Sequence, residues 1–180
     1  MLASRSAWMI LRADHALMRQ RLDLIAELVV GERWHTSGPE LRKLVKLVNS
    51  LLSFDTASHR PKGTLMLNTL RGRSPEAARL ISQMEKECDQ DDQLLVQAID
   101  MLHSLQEGAL RPPKRAACAT ILSRHRDRAL ERMHREETLV AAFTEKLLTK
   151  EEWSRVASQI SAMLYPSSAQ SSEGDADEAL

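Results

Sequence analysis

CATILSRHRDRALERMHREETLVAAF, residues 118–143, places Cys118, Leu122, His125, Ala129, Arg132, Glu136, Leu139 and Phe143 at successive steps of three or four residues. That spacing keeps all eight on one face of an α-helix, the face that turns toward a core. Arg132 and Glu136 are therefore charges where hydrocarbon is expected. A buried charge is expensive unless it is paired or bound to a metal. The stretch predicts a long core helix and a polar site inside that core.

Working outward, the same periodicity recurs. A first helix spans residues 4–30, with a seam of Leu11, His15, Met18, Leu22, Ile25 and Val29, and Gly31 stops it. Ser37 and Glu40 have the spacing of a capping box, with Pro39 in the first turn of a second helix. That helix carries Asp55, His59 and Gly63 on its seam, and Pro61 with Gly63 should bend or interrupt it. Ser74 as N-cap and Pro75 open a third helix, which reaches residue 106 with Cys88 and Asp91 on its seam. Gly108, Pro112 and Pro113 separate it from the fourth helix, 114–148. Thr149 and Glu152 form a capping box for a short fifth helix ending near residue 164. Short connections between long amphipathic helices predict an all-α, antiparallel up-down-up-down four-helix bundle. The domain is expected over residues 1–164, and the Ser-rich, then acidic, residues 165–180 read as a disordered tail.

The composition agrees. The 180 residues suffice for one domain with a real core, only 3% are aromatic, and Gly and Pro are few. The 25 basic residues balance 25 acidic ones, which gives no global argument for nucleic acid or an anionic membrane. Eight Lys or Arg lie between 111 and 135, but Arg124, Arg126, Arg128 and Arg135 are spread around the helix without interleaved aromatics, so a solvated face is expected. No apolar run approaches the roughly 20 residues of a membrane span. Cys88 and Cys118 fall roughly 20 Å apart along the bundle axis, too far for a disulfide. Free thiols suit a reducing compartment, and the chain reads as cytoplasmic. No nucleophile motif and no phosphate-binding glycine loop occurs, so the chain does not read as an enzyme.

Antiparallel neighbours bring residues level when they are symmetric about the intervening turn. His59 and Cys88 are symmetric about residues 73 and 74, and Cys88 and Arg132 about residue 110. His15 and His59 are symmetric about residue 37, near the first connection. One slice should thus gather His15, His59, Cys88 and Arg132, with Glu136 one turn further along. Bundle cores build metal sites from such convergent side chains, and imidazole, carboxylate and thiolate are all competent ligands.

The chain resembles the bacterial hemerythrin-like, or HHE cation-binding, domain over roughly residues 5–156. The segments that carry the likeness are DHALMRQRLDLIAELV, HRPKGTLMLNTLRGRSPEAARLISQMEKEC and REETLVAAFTEKLLTKEEW. The resemblance implies a bundle around a non-haem di-iron site. His15, His59 and Glu136 match ligand positions, whereas Gly63 stands where the family has a bridging Glu. Cys88 and Arg132 stand where it has His. Gly63 cannot supply a carboxylate, and the Arg132 guanidinium is a fixed positive charge. Two outcomes follow: a metal-free bundle in which Arg132 pairs with Glu136, or a single Zn or Fe held by His15, His59, Glu136 and Cys88. Cys88 could alternatively serve as a redox-sensing thiol, and the scaffold alone could serve a protein partner. His134, about 200° around the helix from Arg132, is expected at the surface, and His125 as a core histidine.

Overall fold

The computed structural model describes residues 2–107 and 112–164, and every regular element among them is helical. Helix α1 is Leu2–Val30, α2 Pro39–Phe54, α3 Arg60–Arg71, α4 Pro75–Gln106, α5 Pro112–Arg135, α6 Ala141–Leu147 and α7 Lys150–Leu164. A five-residue π-helical turn, Asp55–His59, joins α2 to α3, and another, Glu136–Val140, joins α5 to α6. Each joined pair is one long rod, and α7 is the short fifth helix. The proposed tail, 165–180, lies outside the described residues, as does Gly108.

The local signals work for identifiable reasons. Ser74 Oγ accepts the Ala77 N–H at 3.0 Å, and Pro75 begins α4 where no donor is needed. Thr149 and Glu152 form the reciprocal box that opens α7, at 2.9 and 3.3 Å. The Ser37–Glu40 box does not form. Gly38 is the N-cap, without a side-chain cap bond, because Pro39 disfavours helical backbone in the residue before it. Pro112 and Pro113 do not lie ahead of α5 but form its first residues, positions whose N–H groups have no partner in a helix. After α1 the left-handed backbone falls on Glu32 (φ 54°) rather than on Gly31.

The π turns also correct the expected stripe. A π turn adds one residue and rotates everything after it, so Leu139 is 47% exposed while Val140 and Thr144 are fully buried. Upstream, Pro61 has no N–H to offer the Ala57 carbonyl and its ring would crowd that oxygen. The widened turn ahead of it accommodates the defect without breaking the rod.

The apolar core comes in two parts. One cluster holds Leu22, Trp34, Leu44, Leu51, Leu102 and Leu122, and the other Leu11, Met66, Leu70, Ile81, Trp153 and Ile160. Helix α1 packs on α2, α5 and α7, α4 on α2, α3 and α5, and α7 covers α1 and α3. Residues from both long interrupted rods and from α1 and α4 meet between the clusters, and those residues are polar.

Candidate metal centre

His15 projects from the middle of α1, His59 closes the first π turn and Glu136 opens the second. In these turns the Arg60 N–H reaches the Asp55 carbonyl and the Ala141 N–H the Glu136 carbonyl, five residues back. The wider turns re-aim the side chains at their ends, a common use of π turns at functional positions.

The three residues converge. His15 Nε2 lies 3.0 Å and His59 Nε2 3.6 Å from the same oxygen, Glu136 Oε2. One ligand atom from each lies within 4.8 Å of the others. The two imidazole rings meet edge to face at 4.8 Å. His15 is fully buried, and its Nδ1–H donates to Glu137 Oε1 at 2.7 Å. Arg19 in turn holds Glu137 through 3.0 Å bonds to both of its oxygens. Burial works against a charged His15, but the hydrogen bonds and charges of Glu136 and Glu137 outweigh it and raise its pKa. Burial also opposes a charged Glu136, yet His15 and His59 hold its carboxyl well below the usual range. His59 is 4% exposed and its Nδ1 has no hydrogen-bond partner among the described residues.

Arg132 does not pair with Glu136. Its Nη1 donates to Asp91 Oδ2 at 2.6 Å, and its Nη2 lies 3.8 Å from Asp55 Oδ2. The expectation failed because Asp91 approaches from α4 while the two histidines already claim Glu136. Arg128 pairs with the other Asp91 oxygen. Next to this group Arg60 donates to Asp92 at 2.7 Å and to Asp55 at 2.6 Å. Cys88 is half-buried and groups with Asp55 and Asp92, not with the two histidines. The four-residue set that included it is therefore not one cluster. Burial pushes the Cys88 thiol up to about 11 despite the nearby Arg132 and Arg60, so it is no activated nucleophile. Neither cysteine forms a disulfide.

Gly63 opens a cavity of about 120 Å³ whose wall includes His59, Cys88, Arg132 and Glu136. A Cβ at Gly63 would meet nothing within 4 Å. His134 is exposed, and His125 is a buried core residue whose pKa burial and Arg132 lower to about 4. Counting residues from the turns puts His15 and His59 level, with Glu136 one turn on, but gives no role to Glu137, which neighbours Glu136 and reaches His15 Nδ1. It also left Asp55 and Asp91 unassigned, although both stood on their seams as charges needing partners. A buried Lys62–Asp14 pair at 2.7 Å, with Ser58 accepting from Lys62 at 2.9 Å, also went unread; it ties α3 to α1 beside the histidines.

A pair of cations does not fit this donor set. Gly63 leaves space where a second bridging carboxylate would be needed, and a permanent guanidinium charge lies against the same cavity. One cation does fit. Ligands bound at about 2.1 Å lie roughly 3.0–3.4 Å apart in octahedral or tetrahedral geometry. The 3.0 and 3.6 Å spacings from Glu136 to the two histidines are close to that. The Glu137 bond holds a proton on His15 Nδ1, so Nε2, which now meets Glu136, is the nitrogen that would ligate, as outer carboxylates arrange for metal-bound histidines.

The family model for the hemerythrin HHE cation-binding domain matches residues 7–144. No curated protein and no solved structure matches the chain. Among the described residues no helix is long and apolar enough to cross a membrane.

Proposed function

The chain belongs to the hemerythrin HHE cation-binding domain family, and from that premise we propose that it is a one-metal member. His15, His59 and Glu136 hold a single transition-metal ion, and Arg132 stands in for a second. The convergence of three donors within 4.8 Å carries this reading. Two histidines and one carboxylate form a donor set suited to Fe²⁺ or Zn²⁺ with coordination positions left open. A bound ion of this kind would supply a Lewis-acid or redox centre. The chain's own residues supply the rest: Glu137 orients His15, Arg19 holds Glu137, and Arg132 with Asp91 and Asp55 fills the remaining polar volume.

The bundle we propose runs up-down-up-down. Arg128 and Arg135 of α5 meet Asp91 and Glu87 of α4 in reverse order, and Arg60 and Arg71 of α3 meet Asp92 and Glu85 of α4 likewise. Its role is metal, oxygen or redox sensing or storage rather than turnover, and a cytoplasmic setting suits its free thiols. A second reading, a metal-free interaction bundle, is favoured by one observation. His15 bridges two carboxylates and so satisfies the site without any cation.

Anaerobic calorimetric titration with Fe²⁺ separates the two. The one-metal reading expects saturation at one equivalent, loss of binding in His15→Ala and in Glu136→Ala, and unchanged binding in Cys88→Ser. Absence of binding, or binding indifferent to His15→Ala, would favour the metal-free bundle.

A further inference from the structure

Arg5, Trp8, Met9 and Arg12 recur at helical spacing and so share one side of α1. With Glu145 of α6 and Trp153 of α7 they line a surface groove of about 380 Å³. Arg5 and Arg12 are exposed, and neither makes an ion pair or hydrogen bond among the described residues. Glu145 shares the groove without pairing with either of them. Met9 between them is 68% exposed. Trp153 is 1% exposed, and its indole N–H has no acceptor among the described residues, which leaves an unsatisfied donor on the groove's wall. The arginines of α5 are different. Arg126, Arg128, Arg132 and Arg135 are already engaged by Asp23, Asp91 and Glu87. Two unpaired guanidinium groups beside an unsatisfied N–H are chemistry that receives carboxylates.

We propose that this groove is a docking site for an acidic peptide, and that its occupant is the chain's own segment 173–178. Residues 165–180 hold Glu173, Asp175, Asp177 and Glu178 and no Lys, Arg or His. They follow Leu164, the last residue of α7, and α7 delivers them to the start of α1, where Ser161 shares a groove with Leu2 and Ala3. Arg12 lies about 15 Å along α1 from Leu2. Glu173, nine residues beyond Leu164, has an extended reach of roughly 30 Å. The acids therefore reach both arginines with chain to spare. Carboxylates of the segment pair with Arg5 and Arg12, and another accepts from Trp153 Nε1 as the exposed side chains around it draw aside. The like charge of Glu145 turns the segment toward α1 and α7 rather than α6. Exposed ion pairs are individually weak, and the tether offsets this by holding the acids at high local concentration.

The tryptophan indole N–H signals in a proton–nitrogen NMR spectrum of the full chain test this docking. Neutralising the segment with Glu173→Gln, Asp175→Asn, Asp177→Asn and Glu178→Gln together should move the Trp153 signal upfield, as loss of an acceptor does. The Trp34 signal should stay in place, because its N–H already donates to the Val29 carbonyl at 3.2 Å. Salt at about 1 M, where the Debye length falls to about 3 Å, should act as the neutral segment does. Arg5→Gln with Arg12→Gln should release the signal too, and neutralising the segment in that background should then change nothing further. Helical circular dichroism reports whether each variant folds. A Trp153 signal indifferent to the segment's charge, or a response to that charge that persists without the two arginines, would overturn the proposal. So would a response that fades on dilution, which would place a second copy's segment in the groove.

Discussion

Arg132 Nη1 donates to Asp91 Oδ2 at 2.6 Å, and both side chains are buried between the two halves of the apolar core. This pair, rather than a contact with Glu136, answers for the guanidinium on the α5 stripe. Removing one partner of a buried pair strands the other, which costs about 3–5 kcal/mol, whereas removing both costs far less. Asp91→Leu, which leaves the buried Arg132 guanidinium with only Asp55 at 3.8 Å, should therefore lower stability by that amount in urea unfolding. Arg132→Met combined with Asp91→Leu should recover much of the loss. A double variant as unstable as the sum of the two single ones would show that the pair is not coupled.

Gly63 lies inside α3, where a Cβ has open space. Glycine within a helix costs roughly 0.5–1 kcal/mol relative to alanine. Gly63→Ala should raise stability by that amount, measured by thermal or chemical unfolding. A loss would mean that the cavity wall does not tolerate even a methyl group.

His125 supplies a pH signature. Its pKa is lowered to about 4 by burial, then by the Arg132 charge, with Asp91, Asp55 and Asp92 opposing. A group lowered in the folded state is protonated first in the unfolded chain, so stability is lost as pH falls from about 6.5 to about 4. Over that range the native chain should lose about 3 kcal/mol more than His125→Leu. Parallel stability curves for the two proteins would contradict the assignment.

Cys88 should be slow. A thiol moved from 9.0 to about 11 has about 100-fold less thiolate near neutral pH. In a Cys118→Ser background, iodoacetamide should modify native Cys88 about two orders of magnitude more slowly than the urea-unfolded chain. Equal rates would revive the reading of Cys88 as a redox-sensing thiol.

Much of this arrangement was legible in the sequence because helical period and turn symmetry are geometric. His15 and His59 fell level by counting residues from the turns, with Glu136 one turn further along, and Ser74 and Thr149 declared helix starts through their own side-chain chemistry. What could not be read was phase. A π turn leaves no periodic trace of its own, so Leu139 was placed on the buried face that Val140 and Thr144 occupy, while Phe143 packs there only in part. Glu137, beside Glu136 at the start of the same turn, reaches His15, a contact that periodicity does not announce. Pairing was the other gap. Period shows that Asp55, Asp91 and Arg132 point inward, but not which carboxylate reaches the guanidinium first, because that depends on how the helices approach one another.

The count of iron and zinc atoms bound per chain, after expression in medium supplemented with both, tests the central claim most directly. The account predicts about one per native chain, none in Glu136→Ala, and a rise toward two when Gly63→Glu, Cys88→His and Arg132→His are combined. Two irons in the native chain, with the oxo-to-metal charge-transfer absorption of a coupled pair, would contradict it, and so would none.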